Sequence, residues 1–216
     1  MKMSSSLLQQ KTDINSLPLE VIYKILGFCD VPDVISFSLA MSRPSLTGVL
    51  DIHQMWTSAV IGPRYLERSL PYLGDHTSKL TVIGSVQFDR NHKPKKERFF
   101  KSRELLPKSV INSVVKNCPN IKVLQLDKCV IGPHFNTLSF PQSLEILVVR
   151  STIFVKKAPF FSNIWKNLRH LKELRVENIQ NFNKHDCYAV LDSMNIDFDI
   201  KFGDDQHSPS FIFYKV

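Results

Sequence analysis

The segment Ile121–Ile131, with the sequence Ile-Lys-Val-Leu-Gln-Leu-Asp-Lys-Cys-Val-Ile, sets its apolar residues at fixed intervals. Its central Leu-x-Leu predicts a strand with both leucines on one side, because successive side chains of a strand point to opposite faces. Cys129 follows where the chain has to turn, and we expect its side chain to satisfy backbone groups inside the bend. The same spacing begins again at Leu144 and at Leu171, which predicts stacked units that share a core.

This spacing matches the leucine-rich-repeat template L-x-x-L-x-L-x-x-N/C-x-L, and the chain resembles proteins built from that repeat. Thr152 and Ile179 stand where the template has Asn or Cys. We predict a further, degenerate copy upstream, with Leu80 as its first leucine. Helical spacing over 112–116 and 160–168 predicts the segments that return on the convex side of the repeats.

The rest of the repeat region is also predicted to be structured. Residues 79–83 have the composition of a strand, and residues 185–194 suggest a last helix. Strict alternation over 196–202 predicts a strand with one face in water. Residues 211–214 are expected to pair back on that strand or to extend the sheet.

A separate helical pattern covers residues 17–56, close to the N-terminus. Apolar residues at helical spacing predict a first helix at its start and a second helix over 34–41. A third helix is predicted from Ile52, with Ala59 and Val60 on its apolar side. A unit of about 40 residues buries too little surface to be stable alone. We therefore expect this head to pack on the rest of the chain or on another protein.

The head resembles the F-box motif through its opening Leu17-Pro18-x-Glu20 and through several later positions. The resemblance implies that the head docks a Skp-family adaptor and, through it, the cullin and RING subunits of a ubiquitin ligase. Met41 departs from the pattern, since many members have cysteine there. The residues that the resemblance implies for adaptor binding are Leu17, Pro18, Glu20, Val21, Ile25, Leu26, Phe28, Asp33, Val34, Phe37, Leu39 and Trp56.

Together these patterns predict an α/β protein, and the two resemblances imply a three-helix F-box followed by a short leucine-rich-repeat solenoid of parallel strands and helices. The expected domains are a disordered N-terminus at 1–14, the F-box at 15–61, and the repeat domain with C-terminal capping strands at 62–216. The implied function is that of a substrate-recognition subunit, which brings an unknown protein substrate to the ligase for ubiquitination. The alternative is a non-catalytic repeat scaffold with no role in ubiquitination.

The positive charge of the chain is concentrated in one part of the sequence. The net charge is +8, yet residues 63–116 alone hold 12 Lys/Arg and 5 Asp/Glu. Most of this excess lies in the basic run Arg90–Arg103, so the charge does not favour a general nucleic-acid-binding protein. The run is a solvated loop, a nuclear-localisation patch, a contact for an acidic or phosphorylated substrate, or a single-strand nucleic-acid contact.

The sequence contains none of the common catalytic, metal-binding or membrane-spanning motifs. The four cysteines lack zinc-ligand or redox spacing, and the histidines are scattered, so we expect no metal and no cofactor. Catalytic motifs are also missing, which predicts a protein that is not an enzyme. The sequence contains no apolar run of membrane-spanning length and no secretory leader. We therefore expect a cytoplasmic or nuclear protein with reduced thiols.

Overall fold

A computed structural model of the chain shows which of these elements form. It describes residues 16–26, 29, 33–34, 36–37, 56–62, 69, 72–86, 105–106, 108–133, 135–179, 182, 186, 190, 196–202 and 209–215. The predicted disordered N-terminus, Phe28, Leu39, the basic run Arg90–Arg103 and most of the predicted helix at 185–194 lie outside these residues.

The described chain is a mixed α/β structure built on one mostly parallel sheet. Its strands, in chain order, are β1 (Ser58–Ile61), β2 (Lys79–Ile83), β3 (Val123–Asp127), β4 (Val130–Ile131), β5 (Ile146–Arg150), β6 (Ile153–Phe154), β7 (Glu173–Glu177), β8 (Ile196–Phe202) and β9 (Pro209–Lys215). Seven of them form the main sheet in the order β1-β2-β3-β5-β7-β9-β8, and β4 pairs with β6 in a separate small sheet. The first five strands of the main sheet are parallel, whereas β9 and β8 are antiparallel to their neighbours.

The helices whose bounds fall within the described residues are α1 (Leu19–Leu26), α2 (Lys108–Asn117), α3 (Ala158–Phe161) and α4 (Ile164–Asn167), and a 3-10 turn covers Thr137–Ser139. The helical spacing predicted over 112–116 is confirmed by α2, which buries Val110, Ile111 and Val114. The spacing predicted over 160–168 forms two short helices, because Asn163 between them takes a left-handed conformation with φ of 58°.

Two ladders of buried side chains run across the sheet, with one residue from each of β1, β2, β3, β5, β7 and β9. The strands pair in a constant register, so equivalent residues of successive units are neighbours across the sheet. The strands and inward-facing leucines predicted from the repeat spacing are therefore confirmed. The first ladder consists of Ala59, Leu80, Leu124, Leu147, Leu174 and Phe213, and the second of Ile61, Val82, Leu126, Val149, Val176 and Phe211.

The upstream copy has a different register from the one predicted. Leu80 pairs with Leu124, not with Ile121, so Leu80 takes the second leucine position of the unit. Thr77 then stands where the other units have their first leucine, and its side chain is fully buried. The prediction is wrong because Thr77 occupies the first leucine position. A pattern of apolar residues passes over it and assigns that position to Leu80, the next aliphatic residue.

The predicted third helix is wrong at its C-terminal end. Ala59 and Val60 lie in the strand β1, and Ala59 pairs with Leu80 of β2. Burial alternates along β1, with Ala59 and Ile61 inside and Val60 half-buried, which is the pattern of a strand. Trp56 precedes Ala59 by the same interval that separates Ile121 from Leu124, so this stretch has the spacing of another sheet unit.

The expected role of Cys129 in the turn is confirmed. Its Sγ lies 3.5 Å from the carbonyl oxygen of Val82 and 3.4 Å from that of Asp127, so the thiol can donate to backbone groups inside the bend. Thr152 holds the equivalent place after β5, with Oγ1 3.3 Å from the carbonyl oxygen of Leu126. The residue directly after each of β3, β5 and β7 has positive φ; these residues are Lys128, Ser151 and Asn178.

The two C-terminal strands close one side of the sheet as an antiparallel pair. β9 pairs with β7 and with β8, which confirms that residues 211–214 extend the sheet. Asp197 and Asp199 of β8 are exposed, as the alternation over 196–202 predicted.

Candidate functional site

The helix α1 has two apolar sides that face different surroundings. Ile22 and Leu26 are buried in the core cluster that also contains both ladders. Val21 and Ile25 lie one turn apart on another side of the helix and keep 40% and 43% of their surface exposed. These two neighbouring aliphatic side chains are partly in water, and we treat the stripe as a candidate contact surface because the resemblance implied both residues as contacts.

The residues predicted to bind an adaptor divide into three groups. Those at the surface are Pro18, Glu20, Val21, Ile25 and Asp33, with Leu17 and Phe37 half-buried. Leu26, Val34 and Trp56 are buried in the core of this chain. Phe28 and Leu39 lie outside the described residues.

Trp56 joins the head to the sheet. It is 1% exposed and its ring stacks on Tyr72, with the ring centroids 5.3 Å apart. It belongs to the same buried cluster as Leu26 and Val34 of the head and the ladder residue Leu80. The buried residues of the head therefore share one core with the sheet.

The second candidate surface is the outer face of the main sheet, formed by the side chains that alternate with the two ladders. Aliphatic residues occupy its centre, where Val123 of β3 pairs with Ile146 of β5 and both are half-buried. Val148 is 8% exposed but does not belong to the core cluster. Ile212 and the exposed Tyr214 are further apolar side chains on β9, but Glu173 and Arg175 of β7 separate them from Ile146 and Val148.

A row of charges borders the strip where the strands begin, and we call it the lysine rim (Lys122, Glu145 and Lys172). Glu145 lies between the two lysines, with one carboxylate oxygen 3.2 Å from Lys122 Nζ and the other 2.5 Å from Lys172 Nζ. Hydrogen bonds from Lys172 and Lys122 lower the pKa of the Glu145 carboxyl. The carboxylate thus stays charged, and two lysines against one glutamate leave the rim with excess positive charge.

A second row borders the strip where the strands end, and we call it the carboxylate rim (Asp127, Arg150 and Glu177). Here the cation is in the middle, with Arg150 3.2 Å from Asp127 and 4.0 Å from Glu177. The formal charge of the three groups is −1, but the side chain of Arg150 is 42% exposed whereas those of Asp127 and Glu177 are 11% and 24% exposed, so the guanidinium is the group that faces water. Between the rims Arg175 pairs with Glu173, which raises the pKa of the guanidinium and leaves that pair neutral.

The buried thiols are poor candidates for chemistry. Burial raises the pKa of Cys118 to about 11 and that of Cys129 to about 12, so both remain protonated at neutral pH. A thiolate is the reactive form of cysteine, and these environments disfavour it. Within the described residues, no group of three or more His, Cys, Asp or Glu side chains could hold a metal ion.

Comparison of the chain with models of known protein families and with curated proteins gave no match. Among the described residues, the helices are too short or too polar to cross a membrane.

The two rims were not predicted, although the sequence contains their signal. Lys122, Glu145 and Lys172 each follow the first leucine position of their unit, and Asp127, Arg150 and Glu177 each end a strand. Aligning the units by column, rather than following the apolar positions alone, would have shown that each column alternates in charge.

Proposed function

We propose that this protein is the substrate-recognition subunit of a Skp–cullin–F-box ubiquitin ligase. The head would bind the Skp-family adaptor, the outer face of the sheet would hold a protein substrate, and other subunits would supply the chemistry. The proposed place of action is the cytoplasm or the nucleus. The observation that carries the proposal is the exposed Val21–Ile25 stripe on a helix whose other apolar side is anchored in the core of the sheet.

The leucine-rich-repeat assignment is supported by the regular sheet. Five parallel strands pair in register, and the same column of each unit supplies a buried ladder residue. Cys129 and Thr152 satisfy backbone carbonyls in equivalent turns, which is the role that the repeat gives to its Asn or Cys. A sheet of stacked units with an open face suits the binding of a large partner.

The F-box assignment is supported by what α1 leaves in water. Val21 and Ile25 were implied as adaptor contacts, and both are exposed. The backbone carbonyl oxygen of Pro18 accepts hydrogen bonds from the N–H groups of Val21 and Ile22, so the helix begins directly after the Leu-Pro pair. The buried Leu26, Val34 and Trp56 would then support the contact surface from inside rather than touch the adaptor.

The test is co-purification of the tagged chain with adaptor and cullin. Val21→Asp combined with Ile25→Asp should reduce adaptor capture at least about tenfold, because each lost aliphatic contact removes about 1 kcal/mol of binding energy. The matched control is Val115→Asp combined with Val155→Asp, at positions that are 37% and 50% exposed elsewhere on the chain. The control should keep adaptor capture, and both variants should melt like the unmodified protein.

Three results would contradict the proposal. If the unmodified chain captures no adaptor, the F-box assignment fails and the scaffold alternative is favoured. If the control variant loses adaptor capture as fully as the stripe variant does, the adaptor does not bind specifically to the α1 surface. Capture of the adaptor without cullin would favour a scaffold that uses the adaptor outside ubiquitination.

A further inference from the structure

The strand β8 forms one end of the main sheet and is paired along one of its edges. All seven residues from Ile196 to Phe202 pair with β9 in a continuous antiparallel register, without a bulge. Among the residues that the structure describes, no strand pairs with the other edge of β8. In an antiparallel strand the backbone N–H and C=O groups of alternate residues point to that second edge, where they can accept a further strand.

The strand β8 lacks several of the features by which proteins protect an edge strand from pairing. Edge strands are commonly very short, or are interrupted by a proline or a bulge. β8 has seven residues and contains no proline, whereas β1 has four residues and β2, β3, β5 and β7 have five each. Its charged residues are Asp197, Asp199 and Lys201, and the first two are exposed. The order of these charges along the strand limits which partner can pair with it.

The sequence of β8 is complementary to a second copy of itself in one antiparallel register. A two-fold axis perpendicular to the sheet and passing through Ile200 sets Asp199 of each copy opposite Lys201 of the other. In the same register Phe198 of each copy lies opposite Phe202 of the other. Opposite charges and aromatic residues at directly opposed positions both stabilise a pair of strands. Two copies paired in this way gain two favourable charge pairs and no repulsive one.

The other registers of a β8 pair are less favourable. A shift by one residue sets charged positions opposite apolar ones, because successive residues of a strand belong to opposite faces. An axis through Asp199 allows Asp197 to pair with Lys201, but it also sets the carboxylate of Asp199 opposite its own copy. An axis through Phe198 sets Asp197 opposite Asp199 twice. Like charges in direct opposition destabilise a strand pair, so the charge order favours the axis through Ile200.

We infer that two copies of this chain associate through β8 in this register, so that their main sheets join into one continuous sheet. Both copies use the same edge, so the contact closes on itself and stops at a dimer. The first strand after the head, β1, lies at the opposite end of the sheet, about 29 Å from β8. In the proposed receptor the dimer would present two outer faces on the same side of the joined sheet, which favours substrates with two contact segments. That use rests on the proposed function, whereas the pairing of β8 does not.

The experiment measures the mass of the full chain in solution by analytical ultracentrifugation over a range of protein concentrations. The unmodified chain should pass from monomer to dimer as its concentration rises. Asp199→Lys and Lys201→Asp each turn two favourable charge pairs into two repulsive ones, so each variant should weaken the dimer at least about tenfold. The matched control is Asp197→Lys, because Asp197 is also exposed on β8 but lies beyond the paired residues 198–202 in this register. The control should form the dimer as the unmodified chain does.

Mixing the two weakened variants tests the register itself. A copy with Asp199→Lys and a copy with Lys201→Asp again set opposite charges against each other at both places, so the mixture should form a dimer that neither variant forms alone. This restoration would also show that both variants are folded. The inference is overturned if the unmodified chain stays monomeric, if Asp197→Lys weakens the dimer as much as Asp199→Lys, or if the mixture stays monomeric. Adaptor capture by the same preparations tests the proposed function separately, since β8 carries none of the residues implied for adaptor binding.

Discussion

Replacing Trp56 with alanine tests whether this residue supports the sheet or contacts the adaptor. The F-box resemblance implies a contact, whereas the structure buries the side chain to 1% exposure and stacks it on Tyr72. Truncating a fully buried tryptophan costs about 3–5 kcal/mol, which includes the lost ring stacking. We therefore expect Trp56→Ala to destabilise the whole cluster that joins Leu26 to Leu80.

The assay is thermal unfolding followed by circular dichroism. For a chain of this size, 1 kcal/mol shifts the melting temperature by about 2–4 °C, so Trp56→Ala should melt about 6–20 °C below the unmodified protein. Tyr214→Ala is the matched control, since this aromatic residue is 42% exposed on β9 and its loss should cost about 0.5 kcal/mol. An unchanged melting temperature together with lost adaptor binding would refute the reasoning and make Trp56 a surface contact.

Two further predictions concern the turn after β3. A Cβ on Gly84 would lie 2.1 Å from the carbonyl oxygen of Lys128, so Gly84→Ala should destabilise the fold by about 1–3 kcal/mol in urea denaturation. Gly132→Ala, whose Cβ would meet only a Leu105 methyl at 3.7 Å, should be near neutral, and equal effects would contradict the steric argument. The pKa of the Cys129 thiol is raised from 9.0 to about 12, so the folded state holds this proton more tightly than the unfolded state. The stability that this gives is complete below pH 9.0 and is lost as the pH rises from there toward 12. The free energy of unfolding of Cys129→Thr should therefore fall less steeply with alkaline pH than that of the unmodified protein. Parallel curves of unfolding free energy against pH would exclude the thiol as the cause.

The apolar spacing of the sequence was sufficient to predict the centre of the sheet. At Leu124, Leu147 and Leu174 the period of the strand and the period of the unit agree, so each leucine could be placed on the buried side before the structure was known. The spacing failed at Thr77 because a threonine can be buried when its hydroxyl has a partner, and here the backbone N–H of Gly74 lies 3.2 Å from its Oγ1. A pattern that counts only apolar residues passes over such a position.

The β1 strand was missed because two local patterns compete over the same residues. Ala59 and Val60 continue a helical spacing that begins at Ile52, and they equally fit a short alternating strand. A four-residue strand has too few side chains for its period to outweigh a longer helical pattern. Pairing with β2 decides the conformation, since the backbone N–H groups of Ser78 and Lys79 both donate to the carbonyl oxygen of Thr57.

The candidate surfaces were only half predictable for a related reason. Val21 and Ile25 were implied as contacts by resemblance, but whether an apolar residue of a small helix faces its own core or the water depends on where the sheet lies. The neighbouring Ile22 and Leu26 have the same chemistry and face inward. The rims depend on the register of three strands, which places residues of distant sequence number within ion-pair distance.

The shared core bears on how the proposed receptor would work. A ligase transfers ubiquitin to a substrate that must be held at a suitable position, and a flexible joint between adaptor and substrate would spread that position over many orientations. Here Val21 and Ile25 form the exposed stripe of α1, and Ile22 and Leu26 of the same helix belong to the cluster of the leucine ladders. Trp56 belongs to the same cluster, and its ring stacks on Tyr72, which precedes β2 in the chain. Packing of this kind is close to crystalline in density and transmits displacement instead of absorbing it. In the proposed receptor, the adaptor surface and the substrate face would therefore move as one body.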